Sequence, residues 1–82
     1  MRTQDWKVRI QIEEDDNHTH AHAVLDSGSV CLQCDGDARR KPTDAVVPEI
    51  GEELAAARAL YGLADRLMDT ASKDIENLSH PA

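Results

Sequence analysis

Near the start of the chain, apolar residues fall at every second position. Trp6, Val8, Ile10 and Ile12 alternate with Lys7, Arg9, Gln11 and Glu13. A period of two with β-branched residues on the apolar side predicts a half-buried strand over about residues 5–14, with Trp6 in the core. Glu14-Asp15-Asp16-Asn17 makes a polar turn, because Asp and Asn side chains bond readily to nearby backbone. A second strand over about residues 18–26 turns Ala21, Ala23 and Leu25 inward and His18, His20, His22 and Val24 outward. After Asp26-Ser27-Gly28-Ser29, short enough for a hairpin, a third strand over about residues 29–39 places Val30, Leu32, Cys34 and Ala38 on one face. Gly36 interrupts it and predicts a bulge or a bend. These segments read as an antiparallel meander with one buried and one wet face.

Beyond Pro48 the period changes. Ile50, Leu54, Ala57, Tyr61, Ala64, Met68, Ala71, Ile75 and Leu78 follow in steps of four and three without a miss. That spacing predicts one long amphipathic helix over about residues 48–78. Leu60, Leu63 and Leu67 widen the seam to a second flank. Pro48 suits the first helical position, where its missing N–H costs nothing, and Glu49, Glu52 and Glu53 complement the positive end of the helix dipole. Such a helix runs ~46 Å, whereas a nine-residue strand spans ~30 Å. The sheet cannot cover that stripe. Either the helix breaks at Gly62 or Thr70, or a second subunit buries the overhang; the second is expected. Ile50, Leu54, Tyr61, Met68, Ile75 and Leu78 are therefore the expected packing or dimer seam.

Composition narrows the class. Eighty-two residues make one α+β domain with a thin core, and small domains usually add a disulfide, a metal or a partner subunit. With no Phe, one Trp and one Tyr, that core is built from Ile, Val, Leu, Met and Ala. The formal net charge of −7 opposes phosphate-led binding of nucleic acid and attraction to anionic membranes. Neither a signal peptide nor a membrane span is expected, which predicts a cytoplasmic protein.

Four features carry possible chemistry. His18, His20 and His22 share a strand face, ~6.6 Å apart at the backbone, close enough for two of them to hold one zinc. Glu13 and Asp37 would approach the His18/His20 end and complete such a shell. The plainer reading, an exposed polar face that happens to use His, is the one adopted, so no metal or cofactor is expected. Cys31 and Cys34, three residues apart on a strand, fall on opposite faces and read as an exposed thiol and a small core residue. Arg39-Arg40-Lys41 is a basic cluster before the helix and the one candidate phosphate or RNA contact; the bland alternative is a solvated loop pairing with Asp35, Asp37 or Asp44. Lys7 and Arg9 belong to the opposite end of the sheet. No nucleophile–base pair, phosphate-cradling glycine loop or dinucleotide fingerprint is present, and no enzyme activity is expected.

The stretch Val47-Pro48-Glu49-Ile50-Gly51-Glu52-Glu53-Leu54-Ala55-Ala56-Ala57-Arg58-Ala59-Leu60 resembles the signature of a small actinobacterial family, domain of unknown function 1876. Trp6, the Thr19-Ala21-Ala23-Leu25 pattern, Gly36, Ala38, Arg39, Pro42, Asp44, and Asp74-Ile75-Glu76 with His80 match it in order. The resemblance implies a β-β-β-α unit that dimerises, with members in the hypoxia and dormancy response and one likened in shape to ribosome hibernation factors. Here Tyr61-Gly62 replaces a more polar pair, histidines replace charged residues on the second strand, and the two cysteines have no counterpart. The expected function is a non-catalytic, stress-associated homodimer that binds a ribosome or a protein; the alternative is a metal- or thiol-based sensor on the His18/His20/His22 face.

Overall fold

The computed structural model describes residues 1–41 and 47–79. Strands β1 (Lys7–Glu14), β2 (His18–Asp26) and β3 (Cys31–Arg39) form an antiparallel sheet in the order β1-β2-β3, followed by a helix, α1 (Pro48–Ser79). The α+β meander-and-helix architecture expected from the alternation is therefore the one observed. Pro42 and Asp44 of the loop before the helix, and His80 after it, lie outside the described residues.

Local chemistry sets both turns. The Asp15 carboxylate accepts from the backbone N–H of Asn17 (3.2 Å) and of His18 (2.9 Å), closing the link from β1 to β2. Between β2 and β3, Gly28 takes a φ of +93°, a conformation costly for any side chain, while its N–H donates to Asp26 Oδ1 at 2.8 Å. Ser27 and Val30 exchange bonds across that turn, so Val30 closes the turn and β3 starts at Cys31.

The core is built from small residues. Ala21, Ala23 and Leu25 of β2, Ala38 of β3, and Ala55, Ala59 and Leu63 of α1 are buried, with Ile10, Leu32, Cys34 and Leu67 packed against them. Gly36 produces no bulge: it pairs with Ala21 in unbroken register. Its role is proximity. A Cβ at Gly36 would collide with the backbone O of Ala55 and the backbone N of Ala59, so the helix sits directly on the strand. Gly62 meets the Cys34 side chain in the same way, and a Cβ at Gly51 would lie 2.7 Å from Thr19 Oγ1.

This close seating turns the helix away from the orientation that its larger side chains suggest. The face on the sheet is Gly51, Ala55, Ala59, Gly62, Leu63 and Leu67. Ile50, Leu54, Tyr61, Met68, Ile75 and Leu78, the expected seam, are all exposed, Tyr61 at 75% and Leu78 at 83%. Of the second flank, Leu63 and Leu67 pack inward and Leu60 stays exposed. α1 runs without a break through Gly62 and Thr70, where the Thr70 hydroxyl donates to the Arg66 carbonyl at 2.9 Å. At 32 residues it is ~48 Å long and outruns the strands.

The helix lies over β2 and β3 and barely touches β1. Val8, Ile10 and Ile12 share the sheet face of Leu25, Ala23 and Ala21, but Val8 and Ile12 are exposed. Trp6 precedes β1 and is 52% exposed, so the expectation that it lies in the core fails: among the described residues, no element covers that corner. Among the described residues, no helix is long and apolar enough to cross a membrane.

Candidate functional site

The face of the sheet turned away from α1 carries the polar alternates. In register, Glu13, His20 and Asp37 make one row across the three strands, and Gln11, His22 and Asp35 make the next. His18 stands at the end of β2 opposite Arg39. The alternation that buries the β2 alanines projects all three imidazoles to the other side.

The imidazoles and the β3 carboxylates interlock. Asp37 Oδ1 lies 2.7 Å from His18 Nε2 and 2.8 Å from His20 Nδ1, and so accepts from both rings. Asp35 Oδ1 lies 2.5 Å from His22 Nδ1 and 3.5 Å from His20 Nε2. His20 is thus held between two carboxylates, one at each ring nitrogen. Its pKa is raised above the usual 6.5, chiefly by the hydrogen bond to Asp37; desolvation partly offsets this, and the charges of Asp37, Asp35 and Glu13 add to the rise. Asp37 is lowered from 3.8 by its bonds to His20 and His18, and Asp35 by its bond to His22.

Of the residues singled out from the sequence, the structure brings together His18, His20, His22 and Asp37. Glu13 joins them as the register partner of His20. Asp35, offered with Asp37 and Asp44 as a partner of the basic loop, lies two residues before Asp37 and opposite His22. Asp35 and Asp37 bind histidines instead of Arg39, Arg40 or Lys41. Arg40 reaches the β1–β2 turn, donating from Nη2 to Asn17 Oδ1 at 2.7 Å, with its backbone N–H on the Asn17 carbonyl at 2.9 Å. Arg39 and Lys41 are exposed. Cys31 is an exposed free thiol and Cys34 packs against the core, as their spacing predicts.

On the helix side, a cleft of about 340 Å³ opens where the β1–β2 turn meets the start of α1, between Asn17, Arg40, Pro48 and Leu54. At its edge Glu14 faces Glu52. Desolvation and then the Glu52 and Glu49 carboxylates push Glu14 above its usual 4.5. Arg58 ties α1 to β3, donating from Nη1 to the Asp37 carbonyl at 2.6 Å. A helix-side bond therefore anchors the same residue whose carboxylate gathers two imidazoles on the opposite face.

Comparison with known proteins gives a consistent result. The crystal structure of Rv2632c superposes with a TM-score of 0.90 at 38% identity, covering 100% of this chain and 98% of that one. An uncharacterised Mycobacterium bovis protein, Mb1767, is 43% identical over 94% of this chain and 82% of its own length. Uncharacterised Rv2632c of Mycobacterium tuberculosis is 42% identical over 90% of this chain and 80% of its own. The family model described as Rv2632c-like matches residues 4–82, and with this sheet, this helix and these relatives the chain belongs to that family.

Proposed function

We propose that the protein acts as a homodimer without chemistry of its own, a cytoplasmic binding protein of the stress or dormancy response. The observation that supports this reading is the apolar surface that one subunit leaves open. Val8 and Ile12 on β1, and Ile50, Leu54, Tyr61, Met68, Ile75 and Leu78 along α1, face solvent. Patches of that extent mark association surfaces. A second copy is the occupant that fits, because each subunit offers both an uncovered strip of sheet and an overhanging apolar helix. In a two-fold pair each contact is made twice.

The partner of such a dimer is a ribosome or a protein. Arg39, Arg40 and Lys41 form the candidate contact for phosphate, while the net charge of −7 favours a protein. Sedimentation at micromolar concentration is expected to give twice the 9.0 kDa chain mass. A 9.0 kDa particle at every concentration would falsify the dimer. For the ribosome, gradient fractionation of starved or oxygen-limited cells is decisive: absence from every ribosomal fraction leaves the protein partner.

A further inference from the structure

We propose that His18, His20 and Asp37 form a binding site for a divalent transition ion of the zinc class on the open face of the sheet. The reading is independent of dimerisation, since it uses the face opposite α1. His18, His20 and Asp37 each offer one ligand atom, and these atoms lie within 4.8 Å of one another. The set is His18 Nε2, His20 Nδ1 and Asp37 Oδ1. Two imidazoles and one carboxylate are donors that borderline ions prefer, and three protein ligands with water completing the shell is a common zinc arrangement.

Two of the three ligand separations require little movement. Tetrahedral zinc with bonds of about 2.0–2.1 Å holds neighbouring ligand atoms roughly 3.3 Å apart. The two nitrogens now stand 2.7 and 2.8 Å from the oxygen, so they separate by about half an ångström as an ion enters. The side chains of His18, His20 and Asp37 are 27%, 36% and 50% exposed, so an ion reaches them from solvent.

Asp35 stands beside His20 on one side of the set, and Arg58 holds the Asp37 backbone on the other. His20 Nδ1 now donates to Asp37 and gives up that proton as an ion binds; the proton that remains is then on Nε2, which faces Asp35 Oδ1 at 3.5 Å. His22 Nδ1 fixes that same Asp35 oxygen at 2.5 Å. On the other side of β3, the Asp37 backbone is anchored by Arg58. Each member of the set thus sits on a paired strand, and two of the three have a partner that orients them.

The test uses untagged full-length protein stripped with chelator, titrated with Zn²⁺ alone by calorimetry and with Co²⁺ by absorption. Saturation at one ion per chain is expected, with chelator-reversible shifts of the His18 and His20 ring nitrogen resonances. His20→Ala and Asp37→Asn each weaken binding at least tenfold. Asp35→Asn, which touches no ion, weakens it by less than about tenfold, through the lost charge beside His20 Nε2. Cys31→Ser leaves binding unchanged. Circular dichroism of the metal-free variants separates misfolding from lost ligands, and the ring resonances of the unaltered protein give an independent readout. Absence of saturable Zn²⁺ binding below millimolar concentration overturns the proposal. So does a titration in which His20→Ala behaves like its parent, or one in which Cys31→Ser abolishes binding.

Discussion

β1 and β2 present the same pattern on the same side of the sheet, yet one is sealed and the other is open. Ala21, Ala23 and Leu25 of β2 lie beneath α1; their register partners Ile12, Ile10 and Val8 lie beside it. The bulkier strand is thus the less covered one. α1 settles where backbones approach most closely, over alanines and Gly36, and one helix cannot span three strands at that depth. Hydrophobic size does not decide what is buried here. Closeness of fit does.

That contrast is open to attack, most severely at the helix–β3 contact. Gly36→Ala pushes a methyl into the backbone of α1, where no flexible side chain can yield. It is expected to cost about 3 kcal/mol by urea denaturation, near the top of the overpacking range. An unchanged midpoint would mean that the helix sits higher than described. Leu63→Ala removes the largest buried side chain of α1 and is expected to cost about 2–3 kcal/mol. In a domain of this size, each kcal/mol appears as roughly 4–8 °C in Tm.

Ile12→Ser on the open strand is the counter-experiment. In an isolated subunit it stays within about 0.5 kcal/mol, as exposed substitutions do. In a dimer that covers β1 it weakens association and makes Tm depend on concentration. Comparing Ile12→Ser with Ile75→Ser by sedimentation shows which of the two open strips a partner uses.

The smallest expected effect is on pH dependence. His20 has a raised pKa, so its contribution is complete below 6.5 and is lost as pH rises through its higher folded value. Asp35 and Asp37 have lowered values, so theirs is complete above 3.8 and fades as pH falls through the folded values. With chelator present, the three together support the fold best between 3.8 and 6.5. Glu14, raised from 4.5, opposes folding increasingly as pH climbs above 4.5, and the penalty levels off beyond its folded value. His20→Gln should remove the decline that sets in above 6.5; if the decline persists in that variant, it belongs to another group.

Period and turn chemistry made the element order and most boundaries legible, and α1 starts at the predicted Pro48. The rotation of the helix was not legible, because α1 carries two apolar stripes and periodicity cannot say which one meets the sheet. The Ile/Leu/Tyr/Met stripe reads as a packing or dimer seam; Gly36, Gly51 and Gly62 held the answer for the sheet contact, since three glycines at contact points favour the small-residue stripe. Trp6 was misjudged for a related reason, as alternation assigns a face without saying whether anything lies over it. The outer ladder was half visible. Three alternate histidines stood out, but their carboxylate partners required the β2–β3 register, which pairs His22 with Asp35 and His20 with Asp37.

β2 interleaves the narrowest side chains of the core with the rings of the ladder, His-Thr-His-Ala-His-Ala, so each residue sits one step from the wrong environment. A slip of a single position would drive imidazoles under α1, where Gly36 and Ala55 leave no room even for a methyl. The tight alanine floor therefore acts as a gauge on strand alignment, rejecting any pairing shifted by one residue.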